Sequence, residues 1–72
     1  MSGDLESTFA ANLVAMRKER GMSQEALAHE VGVHRTYMQR LESASQSATL
    51  RTVSRIAAHL DVDPLTLLTP RI

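Results

Sequence analysis

This sequence of 72 residues contains no cysteine and no tryptophan. Without cysteine there is no disulfide staple and no thiolate metal site. A chain this short buries only about 60% of its unfolded surface, so its stability must come from close helix packing and self-association. Phe9 and Tyr37 are the only aromatic residues, which leaves an aliphatic core of Leu, Val, Ile, Ala and Met. Net charge is also missing: eight basic side chains balance eight acidic ones. That balance weighs against a wholesale electrostatic grip on nucleic acid. No run approaches the roughly 18 apolar residues of a membrane span. The N-terminus, Met1 to Glu6, is acidic and lacks the apolar stretch of a signal peptide. The expectation is a cytoplasmic protein with no membrane partner.

What is present is helical periodicity. No repeat, low-complexity tract or interdomain linker interrupts it, so residues 1–72 read as one domain, with 1–4 expected to be flexible. Leu5, Phe9, Leu13 and Met16 recur at four and three residues and predict a first helix from about Leu5 to Arg20. Gly21 ends it as a left-handed cap. Ser23 is an N-cap for a second helix with Leu27, Ala28 and Val31 inward, and Gly32 stops it. A third helix runs from near His34 to about Ser43, with Tyr37, Met38 and Leu41 inward. After a polar loop, Thr49 caps a fourth helix whose expected buried positions are Leu50, Val53, Ile56, Ala57 and Leu60. Asp63 and Pro64 open a last short helix holding Leu65 and Leu68, and Pro70 prevents its continuation. Five helices with no strand signal make an all-α fold.

The second and third helices, joined by a tight turn at Gly32, have the pattern of a helix-turn-helix, a device that places one helix in a DNA major groove. The charge distribution suits that reading. Four arginines (Arg35, Arg40, Arg51, Arg55) and one acid, Glu42, lie between positions 35 and 55. The spaced residues Ser23-Gln24, Ala28, Gly32, Met38 and Glu42 resemble the Cro/cI-type (XRE) helix-turn-helix domain of phage repressors and small bacterial regulators. The later Leu50, Val53, Ile56-Ala57, Leu60 helix and the Asp63-Pro64-Leu65…Leu68 finish extend the likeness from about Phe9 to Leu68. Tyr37 after Arg35-Thr36 looks most like the stand-alone controllers of restriction-modification systems. The resemblance implies a five-helix repressor-like domain and an ion pair between Arg17 and Glu42 tying the first helix to the third. The chain departs from the family in its loop. Ala44 stands where glycine is common, Ala48 where proline is frequent, and Ser43, Ser45 and Gln46 where lysine or arginine is frequent.

The outward residues of the third helix are the types that read base edges. The Arg35 guanidinium matches guanine O6 and N7, Thr36 offers a methyl or hydroxyl, Gln39 pairs with adenine, and Arg40 reaches a base or a phosphate. Each good bidentate contact discriminates by about 1–3 kcal/mol. Phosphate contacts are expected from Gln24 at the start of the second helix, His34, Tyr37, Ser43 and Gln46. Arg51 and Arg55 add longer-range positive potential, or are simply solvated. The plain alternative for the third helix is an ordinary wet face.

Other chemistries find no support. His29, His34 and His59 do not pair at i,i+4 on one helix and have no acidic cluster to complete a metal site. No nucleophile elbow or glycine-rich phosphate loop points to an enzyme, and nothing calls for a cofactor. One recognition helix reads few base pairs, so two are expected, about 34 Å apart on a pseudo-palindrome of double-stranded DNA. The expected homodimer surface is Leu60, Val62, Leu65 and Leu68, with Leu67 or Ile72 at its edge. The resulting reading is an autoregulatory transcription regulator, repressor or activator. RNA polymerase would be a partner only of an activator, and no patch for it is identifiable. An antitoxin that also binds a toxin stays open. So does a protein-interaction module that kept the scaffold and lost DNA binding.

Overall fold

The computed structural model describes residues 4–71. Five helices follow in order: α1 (Leu5–Glu19), α2 (Gln24–Val31), α3 (Arg35–Glu42), α4 (Leu50–Leu60) and α5 (Pro64–Leu68). No strand occurs among the described residues. The all-α, five-helix expectation therefore holds. Helix α1 packs on α3 and α5, α2 packs on α3 and α4, and α4 packs on α5. Their shared core is Phe9, Leu13, Met16, Leu27, Val31, Met38, Leu41, Val53, Ile56, Leu60 and Leu67, with Ala28 and Ala57 where backbones approach. Each fully buried leucine contributes about 1.5–3 kcal/mol relative to an exposed one.

Every helix starts on a side-chain cap. Asp4, Ser23, His34, Thr49 and Asp63 each accept a backbone N–H from the first turn they precede. Of the stretch expected to be flexible, residues 1–3 lie outside the described residues, and Asp4 is the cap of α1. Four helices end in a left-handed residue: Gly21 at φ +66°, Gly32 at +84°, Ala44 at +59° and Asp61 at +58°. At Ala44 the amide of Ser45 reaches back to Arg40 O (3.0 Å) and that of Ala44 to Leu41 O (3.3 Å), the paired bonds of a Schellman motif. The same pair recurs after α1 and α4.

Two helix ends are also closed by arginines from elsewhere. Arg20 Nη2 donates to Leu60 O at the end of α4 (2.6 Å), and Arg55 Nη2 donates to Val31 O at the end of α2. Each places a cation on the negative end of a helix dipole. Asn12 does comparable work for α5. Its buried amide nitrogen lies 2.9 Å from both Leu67 O and Thr69 O and 3.3 Å from Thr66 O.

Several expected core positions need correction. Leu50 is 78% exposed and Leu5 is 51% exposed. Each has the right period, but each is the first residue of its helix and overhangs the layer below. Leu65, expected on the dimer face, is 67% exposed, whereas Leu67, expected at the edge of that face, is buried in the core. The grip of Asn12 on the α5 carbonyls sets that rotation. Residues 64–68 make little more than one turn, so spacing alone could not choose the inward face.

Candidate nucleic-acid interface

The turn between α2 and α3 follows from Gly32. Its left-handed backbone reverses the chain, and a Cβ there would lie 3.0 Å from the Arg55 guanidinium. Glycine meets both requirements without strain. The amides of Gly32 and Val33 both return to Ala28 O (2.9 and 3.0 Å), which closes α2. His34 then caps α3 by accepting the Thr36 N–H on Nδ1 at 3.0 Å. A neutral imidazole that accepts on Nδ1 carries its proton on Nε2, so His34 offers an outward N–H. The ring itself is exposed.

Met38 and Leu41 bury the inner face of α3. The other face presents Arg35, Thr36, Gln39 and Arg40, all exposed. Positions 35 and 39, and 36 and 40, repeat after about one turn, so the four form one continuous row. Among the described residues, no protein group accepts from the side chains of Thr36, Gln39 or Arg40. Arg35 Nη1 lies 3.5 Å from Glu25 Oε2, but both side chains are mostly in water. Such a pair is worth about 0–1 kcal/mol, so the guanidinium is free to leave it.

Beneath this row lies a closed polar network. Arg17 meets Glu42 in a bidentate pair, with Nε to Oε2 at 2.6 Å and Nη2 to Oε1 at 3.0 Å. The Glu42 side chain is only 4% exposed. Arg17 Nη1 donates to Met22 O at 2.8 Å, just before the cap of α2. Gln24 Nε2 donates to Glu42 Oε1, also at 2.8 Å. The network thus ties α1, the start of α2 and the end of α3 together.

Some of the expected contact residues are placed differently. One N–H of Gln24 is committed to Glu42, leaving one for an outside acceptor. The Ser43 hydroxyl donates to Arg40 O at 3.2 Å and lies 2.9 Å from Ser45 Oγ. Its single proton is therefore shared between acceptors at the end of its own helix. Gln46 shares a shallow cleft with Asp4 and Glu6. Hydrogen bonds from the Ser7 hydroxyl and amide, then from Glu6, hold the Asp4 carboxyl below its usual value, so it carries a charge that repels phosphate. Tyr37 is half-buried against the core. Both arginines of α4 are exposed, but the Arg55 guanidinium also donates to Val31 O.

The expected dimer surface also changes. Leu60 is 1% exposed and Leu67 is fully buried, so both are spent on the core. Val62 and Leu68 are half-buried, Leu65 is exposed, and Ile72 lies outside the described residues. Sequence reasoning missed Leu50 and Leu5 as surface. Together with Leu68 they line an apolar cleft of about 90 Å³ that contains no residue of α2 or α3. It also missed Asn12, whose signal was a polar residue on the apolar stripe of Phe9, Leu13 and Met16.

The helix-turn-helix family HTH_3 matches residues 13–67, more than half of the chain. This chain belongs to that helix-turn-helix family. A hypothetical transcription factor of Neisseria meningitidis is 36% identical over 67 residues, which cover 93% of this chain and 63% of the relative. The chain thus spans less than two thirds of that relative's length. A crystal structure of a hypothetical transcription factor from Neisseria superposes with a TM-score of 0.90 at 36% identity, covering 93% of this chain and 77% of that one. The control protein C.SmaI of Serratia marcescens is 35% identical, covering 92% of this chain and 79% of its own. The biofilm regulator SinR, solved in complex with DNA, superposes with a TM-score of 0.80 at 31% identity, covering 85% of this chain and 98% of that one. The likeness to Cro/cI-type regulators and restriction-modification controllers is therefore borne out. This helix-turn-helix is a DNA-binding domain of the kind carried by transcription regulators of the controller and repressor type. No helix among its described residues is long and apolar enough to cross a membrane.

Proposed function

We propose that the chain is a cytoplasmic, sequence-specific transcription regulator that binds a pseudo-palindromic operator as a homodimer and represses its own gene. The observation that carries this reading is the exposed row of Arg35, Thr36, Gln39 and Arg40 on α3. Three of the four have no competing acceptor among the described residues, and the fourth has a weak one. A base edge in the major groove is what such a row fits. The start of α2 sits beside it as the phosphate anchor, with the outward Nε2–H of His34 as a second donor.

A single recognition helix is too short to specify an operator, and the surface offers a means of pairing. Leu50, Leu65 and Leu5 are large, exposed and apolar. Large apolar groups left in water favour a partner. The dimer face proposed here therefore keeps Leu65, Leu68 and Val62, drops Leu60, and gains Leu50.

Band-shift titration on the DNA upstream of the chain's own gene tests the proposal. Arg35→Ala is expected to lose about 1–3 kcal/mol of discrimination between that DNA and an unrelated duplex, while the fold is retained. Equal affinity of the unmutated protein for both duplexes would refute sequence-specific readout. Sedimentation tests the dimer: Leu65→Glu is expected to shift the mass toward the monomer. A monomeric mass for the parent at tens of micromolar would remove homodimerisation.

A further inference from the structure

The hydrogen bond from Gln24 to Glu42 joins the outer binding surface to the buried ion pair. We infer that Glu42 is a positioning residue for DNA contact, acting through Gln24. This rests on the proposal that the start of α2 meets a phosphate.

The argument begins with the amide. Gln24 is the first residue of α2. A free glutamine there samples several rotamers, and its amide can present either its oxygen or its nitrogen outward. A phosphate accepts only from nitrogen. Glu42, ionised, is an acceptor with no proton to give. Its Oε1 at 2.8 Å from Gln24 Nε2 therefore selects one orientation of the amide. In that orientation one N–H is spent on Glu42, and the geminal N–H has no acceptor among the described residues. The carboxylate cannot follow the glutamine outward, because Arg17 holds both of its oxygens and is itself tied to Met22 O. The base of the contact is thus rigid. Ordering of the side chain is completed in the folded protein before DNA arrives, which lowers the entropy lost on binding.

The first turn of α2 has its own unspent donors. Ser23 Oγ accepts the Ala26 N–H, and the amides of Gln24 and Glu25 have no partner among the described residues. A phosphate seated on them would meet the second N–H of Gln24 beside them. On this account Glu42 contributes to affinity for any duplex and nothing to the choice of bases. That separates it from Arg35, which discriminates between sequences.

A double-mutant cycle tests the inference, using a random-sequence duplex of about two helical turns at low salt. The variants are Glu42→Gln, Gln24→Ala and the pair, all measured at a temperature where circular dichroism shows each to be folded. Glu42→Gln retains the shape but brings a second amide that can turn its own donor toward Gln24. It is expected to weaken duplex binding about fivefold in the parent and to have no effect once Gln24 is alanine. A merely structural Glu42 would weaken binding equally in both backgrounds, and that additivity would overturn the inference. If the unmutated protein fails to bind the duplex at all, the DNA-binding proposal falls first. A second measurement needs no variant of Glu42. By NMR, one side-chain amide proton of Gln24 is expected to stand apart from those of exposed Gln39 and Gln46 in the free protein, and the other to move when duplex is added. A Gln24 pair that coincides with those of Gln39 and Gln46 overturns the inference independently.

Discussion

Replacing Ala44 with glycine should stabilise this protein, and the size of the gain can be worked from the backbone. Ala44 sits at φ +59° directly after the recognition helix. An L-residue in the left-handed region costs about 1–2 kcal/mol relative to its ordinary conformations. Glycine removes that strain but restores about 0.4–1 kcal/mol of unfolded-chain entropy. The net expectation for Ala44→Gly is a gain of about 0.5–1 kcal/mol, which in a domain of this size raises the thermal midpoint by about 2–8 °C. The two glycines provide controls of opposite sign. Gly21, at φ +66°, has nothing within 4 Å of an added Cβ, so Gly21→Ala isolates the strain. It should lose about 0.5–1 kcal/mol. Gly32→Ala should lose more, because its Cβ would lie 3.0 Å from the Arg55 guanidinium, which donates to Val31 O. The guanidinium must then give way by a few tenths of an ångström, which weakens that charged hydrogen bond. The assay is thermal denaturation followed by helical circular dichroism. If Ala44→Gly leaves the midpoint unchanged or lowers it while Gly21→Ala behaves as stated, the loop after α3 is not left-handed at Ala44 and the reasoning fails.

Two further perturbations act on the polar groups. Glu42→Ala leaves the Arg17 guanidinium largely buried without its carboxylate, and is expected to cost about 3–5 kcal/mol; chemical denaturation giving parental stability would show the pair to be unimportant. Asp4 is held below its ordinary value of 3.8 by the Ser7 and Glu6 hydrogen bonds. Its folded pKa being the lower one, its stabilising share is present above that ordinary value and lost as pH falls through the folded one. Asp4→Asn should therefore lower the neutral region slightly and flatten the acid limb of a stability-against-pH curve, so that the two curves converge at low pH.

Legibility in the sequence depended on whether a residue's role was local. Caps and glycine turns were readable because one residue type answers one backbone need, as at Ser23, Gly21, Gly32 and Asp63. Ala44 and Asp61 take the same left-handed conformation with a Cβ present, so composition gave no mark for them beyond the family's usual glycine at the first. Periodicity correctly found the apolar faces but not their ends. Leu5 and Leu50 keep the period and lose the partner, because the layers differ in length. The exposed row proposed for base reading was legible, since exposure of Arg35, Thr36, Gln39 and Arg40 follows from burial of Met38 and Leu41. Whether a polar group is already spent was not legible. Gln24 and Ser43 both look free in the sequence, and each has a donor committed within the fold.

The same distinction, applied to cations, determines how strongly binding should depend on salt. The chain has eight lysines and arginines. Four of them, Arg17, Arg20, Arg55 and Arg71, donate to protein acceptors at 2.7 Å or closer, whereas Arg35 has only its 3.5 Å contact with Glu25. Lys18 lies on α1, outside the α2–α3 surface. That leaves Arg40 and Arg51 as phosphate-directed charges, and Arg35 if it reaches the backbone instead of a base. Each phosphate neutralised contributes about −0.9 to the slope of log affinity against log salt. Two or three per protomer give a slope of about −2 to −3, and a dimer about −4 to −5. Neutral donors, the Gln24 amide, the His34 Nε2–H and the first amides of α2, add hydrogen bonds without releasing counterions. Binding should therefore fall gently with salt for a DNA-binding domain, and the margin between operator and random duplex should rest mainly on α3. Titration over a range of salt concentrations measures the slope directly. A dimer slope steeper than about −8 would mean that the protein-held arginines are released onto the DNA, and those cations would then not be held at all.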